Sequence, residues 1–344
     1  MEPNLRSCPW VRRYAQNPVL SAEDVPYPST LVFNAGVIFH QGRYVMVFRN
    51  DYGYESEKGF AGTNIGIAES EDGIHWKVRP EPCFDSRDPR LSGFFGLPEG
   101  EMIRVYDPRL TVIGDEVYMT FAADTRHGLR GGIARTDDFR QFRVLSLSVP
   151  DNRNMVLFPE KVQGMYLRLE RPMPVYSRGR DRFDLWLSES PDLVHWGGSV
   201  LLSGVEDFPY ANDKIGPGAP PVRTDRGWLV LTHGVDLDRN RGKNGWETSW
   251  KKRYCAGMML LDLEDPRKVL GIYREPLLAP EAACETEGGF RNHVVFPTAA
   301  VPGTDGQLKI YYGSADTVVA LAYAPLEKLV DLCLAGGGPG HAGL

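Results

Sequence analysis

The stretch MYLRLERPM, residues 165–173, puts an arginine where a strand should stay apolar. Read with a period of two, Met165, Leu167, Leu169 and Arg171 share one face. A guanidinium there must find an anion or cost on the order of several kcal/mol, as breaking a buried ion pair does. Glu170 has the opposite parity and points away from it, although pairing with Glu170 or Glu160 at a sheet rim is the ordinary alternative. His233, in LVLTHGVD, also has apolar-face parity, where a hydrogen-bonded core histidine is the commoner occupant. Lys214 in NDKIGPGAP precedes a Gly-Pro-Gly turn and reads equally as a solvated loop lysine. Arg153 stands in DNRN. The acid among these cations is Asp107 in YDPR, which as an Asp-Pro pair also fits a plain turn.

One acid set against several cations suggests a particular chemistry. Inverting glycoside hydrolysis needs two carboxylates, because water must be deprotonated as it attacks. Inorganic phosphate is already an anionic nucleophile, so a base is dispensable and cations must hold it beside the anomeric carbon. One general acid then protonates the leaving oxygen. Arginine suits this through its planar, bidentate fork, and lysine acts as a point charge. The set Asp107, Arg153, Arg171, Lys214 and His233 therefore reads as phosphorolysis, with phosphate as co-substrate and no metal or organic cofactor.

The elements that must position these residues emerge from an internal repeat. A strand, a tight polar turn and a second strand recur as VFNAGVIFHQGRYVMVFRND, VYDPRLTVIGDEVYMTFAAD, MVLFPEKVQGMYLRLERP, IGPGAPPVRTDRGWLVLTHGVD and HVVFPTAAVPGTDGQLKIYYGSAD. The turns HQGR, IGDE, VQGM, TDRG and TDGQ all hold the Gly or Asp that hairpins demand. Each hairpin is followed by a short strand running into a polar turn, as in IGIAESEDGIHW and LWLSESPDLVHWG. Five units of three or four strands, roughly 50 to 80 residues apart, predict an all-β, five-bladed propeller. Trp76, Trp196 and Trp228 fall at blade-packing positions. Helices are expected only over 5–16, in a turn near Ala282 and over 326–332. The corresponding division is an N-terminal helical extension at 1–16, a propeller at 17–332 and a flexible tail at 333–344.

A propeller directs the heads of its long hairpins at one axial pocket. Those heads carry Arg49, Asn50 and Asp51, then Tyr106, Asp107 and Arg109, then Arg153 and Arg171, then Lys214 and His233, and finally Arg291, Asn292, His293 and Asp316.

The segments VFNAGVIFHQGRYVMVFRNDYG, GTNIGIAESEDGIHW, YDPRLTVIGDEVYMTF, NRNMVLFPEKVQGMYLRLERPM, KIGPGAPPVRTDRGWLVLTHGVD, VVFP and IYYGSADT resemble glycoside hydrolase family 130. The resemblance runs in order from about Asn17 to Leu332. It implies a five-bladed propeller and an inverting phosphorylase that converts a β-mannoside and phosphate into α-mannose 1-phosphate and a shortened sugar. By the same resemblance Asp107 is the catalytic acid, acting through the mannose 3-hydroxyl. Arg153, Arg171, Lys214 and His233 bind phosphate, while Asn50, Asp51, Tyr106 and Asp316 hold the non-reducing mannose. The acceptor is glucose, mannose or N-acetylglucosamine, in β-1,4 or β-1,2 linkage. RNDYG and GTNIGIAESEDGIHW look like the mannosylglucose branch, whereas RGKNGWETSWKKRY, residues 241–254, departs from it and is expected over the pocket or at a subunit contact. The resemblance also leaves room for a homo-oligomer.

Two competing functions keep the same fold. An inverting β-mannosidase would need a second carboxylate, with Asp51, Asp124 or Glu160 as candidates. A non-catalytic carbohydrate-binding propeller would use the polar residues for recognition alone.

Bulk properties narrow the partners. The chain of 344 residues has 39 basic and 45 acidic side chains, a net charge of −6, and no basic stripe, which argues against nucleic acid. Its five cysteines, Cys8, Cys83, Cys255, Cys284 and Cys333, lack CxxC spacing and predict reduced thiols without a zinc site. MEPNLRSCPWVRRYAQNPVL has no apolar signal-peptide core, and no stretch is long enough to span a bilayer, so a cytoplasmic protein is expected.

Overall fold

A computed structural model describes residues 5–87, 102–174, 182–247 and 249–339. The five repeats form five antiparallel sheets. Blade 1 runs through Leu31–His40, Arg43–Glu55, Gly59–Ser70 and Lys77–Val78, and blade 2 through Met102–Ile113, Glu116–Thr125, Gly128–Thr136 and Arg143–Leu147. Blade 3 uses Asn152–Leu157, Tyr166–Pro172, Leu185–Ser190 and Gly197–Ser203. In blade 4 the inner edge is split, with Lys214–Pro217 and Val222–Thr224 both pairing with Gly227–Leu237, followed by Lys252–Leu261 and Val269–Leu278. Blade 5 holds Val295–Pro302, Gln307–Ser314 and Val318–Pro325. The first strands of neighbouring blades contact one another around the ring, and blade 1 meets blade 5.

Each seam has its own apolar cluster. Val47, Ile67, Leu110 and Phe121 join blades 1 and 2; Leu157, Tyr118, Ile133 and Leu193 join blades 2 and 3. Leu169, Leu187, Val230 and Met259 fill the seam of blades 3 and 4, Leu231, Met258, Ile310 and Tyr312 that of 4 and 5, and Met46, Phe48, Tyr311 and Leu321 that of 5 and 1. Strands buried on both faces thus let the alternation of side chains serve two seams at once. Trp228 is fully buried, while Trp76 and Trp196 pack at the edges of their clusters.

The hairpin signals have direct counterparts. Gln41–Gly42 and Gln163–Gly164 have φ of 50°, 82°, 52° and 82°, the left-handed pair that a two-residue turn matched to strand twist requires. The polar turns after the third strands are Asx motifs: Asp72 accepts from the backbone N–H of Ile74 and His75, and Asp192 from Val194 and His195.

The ends depart from expectation. Residues 5–16 form no helix; Pro9 interrupts that stretch, and Arg12–Arg13 pair with Tyr323 and Ala322 as the outermost strand of blade 5. Arg13 is anchored by Glu285, with Nε 2.6 Å from Oε1, so the N-terminal segment ties the ring where the last blade lacks a strand. Helical pieces do occur at Ala22–Asp24, Ala283–Thr286 and Leu326–Ala335. The last runs past residue 332, its Cys333 is fully buried, and the Gly337 carbonyl accepts from Ile272 N–H. Cys333 is therefore packed against blade 4 and Gly337 and Gly338 are hydrogen-bonded to it, while 340–344 of the expected tail, like residues 1–4 of the expected extension, lie outside the described residues. All five cysteines are free thiols. Among the described residues no helix is long and apolar enough to cross a membrane.

Candidate active site

One end of the ring axis opens into a cavity of about 320 Å³ whose wall includes Asn34, Arg49, Tyr106, Asp107, Arg153, Asn154, Arg171, Lys214, His233 and Asp316. A shared backbone device aims several of these groups. The inner strands of blades 1, 2 and 3 break register at Phe33/Gly36, Tyr106/Arg109 and Arg153/Val156. Within those bulges Asn34, Asp107 and Asn154 have φ of 51°, 52° and 56°. Bulges re-aim side chains, and Asn and Asp tolerate the left-handed region better than other residues with a Cβ. The Asx in FNAG, YDPR and RNMV is the sequence trace of this device.

Asp107 accepts a hydrogen bond from Asn34 Nδ2 at 2.9 Å and faces Arg49 Nη1 at 3.4 Å. Burial pushes its carboxyl up, but Arg49, Arg109, Asn34 and Arg153 together outweigh burial and hold it below the ordinary carboxylate range. Arg49 is fixed in turn by Asp51, with Nε at 2.9 Å and Nη2 at 2.7 Å, and Asp51 also accepts from Thr63 Oγ1. Tyr106 donates to Asp124 at 2.8 Å, and Asp124 also takes Arg104.

The cations cluster on blades 3 and 4. Arg153 and Arg171 are direct cross-strand partners, so two like charges stand opposite each other, an unfavourable pairing in a sheet. Among the described residues neither has a carboxylate within ion-pair distance, and each leaves a buried Nε without a hydrogen-bond partner. Burial, then the neighbouring Arg153, pushes Arg171 down to about 9. Arg171 Nη1 lies 2.8 Å from His233 Nε2. Gly216 makes this approach feasible, since a Cβ there would fall 2.6 Å from His233 Cε1 and 2.9 Å from Arg171 Cδ. Lys214 is 3.9 Å from Asp213, whose carboxylate is held more closely by Lys252 at 2.8 Å. Burial, then Arg171 and Lys252, pushes Lys214 down to about 6. Phe183 presents its ring to both cations, 4.3 Å from Lys214 Nζ and 5.2 Å from the Arg171 guanidinium carbon.

Elsewhere on the cavity wall Arg291 binds Asp316 at 3.1 Å and Glu247 at 2.5 Å and lies 4.5 Å above the Trp250 ring. Burial raises Asp316, against the pull of Arg291 and Arg49. Phe60, Phe290, Trp250 and Tyr254 give this side an aromatic lining. The divergent segment 241–254 therefore reaches the cavity, through Trp250, Lys252 and Tyr254.

Seven of the nine residues expected at the site line one cavity: Tyr106, Asp107, Arg153, Arg171, Lys214, His233 and Asp316. Asn50 and Asp51 do not. Asn50 is fully buried, donating to the Pro28 carbonyl and Asn64, and the Asp51 carboxylate is consumed by Arg49 and Thr63. Arg49, one residue earlier, is the group from RNDYG on the wall, and Asp51 sets its orientation. Strand parity alone missed Asn34, Asn154 and the aromatic wall.

The family model described as beta-1,4-mannooligosaccharide phosphorylase, of glycoside hydrolase family 130, matches residues 5–335. A beta-1,4-mannooligosaccharide phosphorylase of Ruminococcus albus is 32% identical over 326 residues, 93% of this chain and 89% of that one. A 4-O-beta-D-mannosyl-D-glucose phosphorylase of Bacteroides fragilis is 30% identical over 323 residues, 88% of this chain and 74% of that one. Among solved structures, the beta-1,2-mannobiose phosphorylase of Listeria innocua in complex with beta-1,2-mannobiose superposes with a TM-score of 0.79 at 26% identity, covering 94% of this chain and 99% of that one. The chain belongs to glycoside hydrolase family 130 and is an enzyme of that family.

Proposed function

We propose that this enzyme is an inverting β-mannoside phosphorylase, producing α-mannose 1-phosphate and a shortened sugar. The observation that carries this reading is the cross-strand pair Arg153–Arg171, neither of which has a carboxylate within ion-pair distance among the described residues, standing with Lys214 at a cavity that also holds Asp107. Such an excess of buried positive charge suits a small multivalent anion, and the bidentate forks suit phosphate oxygens.

In this reading phosphate oxygen attacks the anomeric carbon from the face opposite the leaving group, which inverts configuration. The C1–O bond to the acceptor breaks as the C1–O–P bond forms. The leaving oxygen takes the proton of the sugar 3-hydroxyl, and Asp107 replaces that proton, ending as carboxylate. Asp107 is too acidic to carry a proton in the empty site. Bound phosphate would cancel the field of Arg153 and repel the Asp107 carboxylate, so its proton affinity rises as the nucleophile arrives. Asp316, Tyr106 and Arg49 would hold the mannose, and the aromatic side formed by Trp250, Tyr254, Phe60 and Phe290 would pack the acceptor ring.

The carboxylates considered for a hydrolytic base do not support that alternative. Asp51 is paired behind the wall, Asp124 is taken by Tyr106 and Arg104, and Glu160 is half-exposed and paired with Arg223. The test is incubation with β-1,4-mannosyl-glucose, β-1,4-mannobiose, β-1,4-mannosyl-N-acetylglucosamine and β-1,2-mannobiose, with and without inorganic phosphate. Phosphate-dependent mannose 1-phosphate is expected, and the productive disaccharide names the acceptor and linkage. Free mannose formed without phosphate would overturn the proposal in favour of a hydrolase.

A further inference from the structure

The second strand of each blade lays one face on the blade before it. At those seams blade 1 supplies Met46 and Phe48, blade 2 Met119 and Phe121, blade 4 Trp228 and Val230, and blade 5 Ile310 and Tyr312. Blade 3 departs from this rule. Its Leu167 and Leu169 face blade 4, so the alternation turns Arg168 and Glu170 toward blade 2. Both are buried, with Arg168 Nη2 2.8 Å from Glu170 Oε2. Apolar residues in place of a buried ion pair are often neutral or stabilising, and the other four seams use them, so packing gives no reason for this pair.

The pair stands on the wall of a crevice of about 570 Å³ between blades 2 and 3, which shares no lining residue with the axial cavity. That volume lies within the range of about 300–1,000 Å³ usual for small-ligand clefts. Glu170 accepts from Asn152 Nδ2 at 2.8 Å, from Ser188 Oγ and from Arg168, which uses three of the roughly four bonds a carboxylate can accept. Arg168 Nε and Asn152 Oδ1 are buried with no hydrogen-bond partner among the described residues. The Arg168 guanidinium lies 4.2 Å above the Trp196 ring, and Trp186, the cross-strand partner of Glu170, is half-buried beside it. The rim is apolar, with Val149 73% and Val194 40% exposed.

We propose that the crevice between blades 2 and 3 is a second carbohydrate-binding site, holding one neutral pyranose of a glycan chain against Trp186 with Arg168, Glu170 and Asn152 toward its hydroxyls. Unfilled hydrogen-bonding capacity between aromatic and apolar walls suits a ligand with hydroxyls on its edge and C–H groups on its face, which a pyranose is. The charge balance points the same way. Glu170 cancels Arg168 and Asp151 adds a negative charge to the wall, so an anion finds no counter-charge, while the cation already on Trp196 repels a second one. Glu170 and Arg171 are consecutive and of opposite parity, so the crevice and the axial cavity open from opposite faces of one strand.

Native affinity electrophoresis tests this, with neutral β-1,4-galactomannan, neutral hydroxyethylcellulose or anionic polygalacturonate in the gel and mobility referred to a gel without polysaccharide. Wild type should be retarded by at least one neutral polymer and not by the anionic one, and Asp316→Asn, altered at the axial cavity, should be retarded equally. Trp186→Ala is expected to weaken binding about tenfold, the worth of one aromatic contact, and Trp186→Tyr, which keeps a ring, to recover most of that loss. The double variant Val149→Ser/Val194→Ser alters exposed rim positions only and should also lower retardation, which guards against a folding defect in Trp186→Ala. Melting profiles, together with unchanged turnover of a disaccharide that wild type uses, verify that each crevice variant is folded. No retardation of wild type by either neutral polymer, retardation lost in Asp316→Asn but kept in Trp186→Ala, or a preference for the anionic polymer would overturn the inference. Absence of phosphorolysis would overturn the proposed function and leave this site standing, because retardation in Asp316→Asn reads the crevice alone.

Discussion

Arg171→Ala offers a quantitative test of the anion site that needs no knowledge of the sugar. The substitution removes a charge-assisted donor worth about 1.5–3 kcal/mol, or about 10- to 150-fold in phosphate affinity. A ligand present at 100 times its Kd stabilises the fold by about 2.7 kcal/mol. Average unfolding entropy scaled to 344 residues makes 1 kcal/mol worth about 1.4 °C, so wild type should melt about 4 °C higher with that phosphate than without it. At the same phosphate concentration the variant retains about 0.3–1.4 kcal/mol of linkage, a shift of about 0.4–2 °C. The assay is a melting titration in a phosphate-free buffer, with chloride at matched ionic strength as control. A folded Arg171→Ala protein whose phosphate-induced shift equals that of wild type would refute the assignment, because a guanidinium facing Arg153 with no carboxylate partner among the described residues would then have no anion to explain it.

Further consequences follow from the same geometry. Asp107→Asn should lower phosphorolysis by about 10²–10⁴-fold while preserving the phosphate-induced melting shift; equal loss of both would mean that Asp107 organises the pocket and does not supply the proton. Lys214 is pushed down to about 6 in the empty site, and an anion beside it favours its charged form, so above about pH 6 phosphate binding should take up a proton at Lys214 and weaken as pH rises. Calorimetry in buffers of different ionisation enthalpy should show this uptake in wild type relative to Lys214→Met, a difference that isolates the lysine from phosphate's own ionisation; identical proton counts would contradict it. Asp51→Ala leaves Arg49 without its bidentate partner and should cost about 3–5 kcal/mol, seen as a melting temperature about 4–7 °C lower. An unchanged melting point would show that Arg49 is solvated in place of being held by Asp51.

Parity along single strands exposed much of the site. Arg171 and His233 stand out because each interrupts an apolar face, and both are buried beside each other in the folded chain. Lys214 and Arg153 were found as hairpin heads, and the ring does bring those heads together. The resemblance carried by RNDYG assigns Asn50 and Asp51 to the sugar, yet of that segment only Arg49 lines the cavity, and its guanidinium occupies the Asp51 carboxylate within the blade. Over residues 5–16 the expected helix is replaced by an edge strand at Arg12–Arg13. Pairing with the edge at 322–323 and the anchor at Glu285 depend on partners some 270 to 310 residues away.

The repeat, the hairpin turns, the seam-facing alternation and the presence of a cation where a core residue was due are legible along the chain alone, since all of these are local patterns with periods the backbone imposes. Which hairpin heads share a cavity, that Asn34 and Arg49 clasp Asp107, and that Arg153 faces Arg171 with no carboxylate within ion-pair distance among the described residues emerge only in the folded ring. Those facts depend on the register across strands, on three Asx bulges that turn side chains toward the axis, and on contacts between blades. No single-strand periodicity encodes them, because they come into being only when distant segments close into the ring.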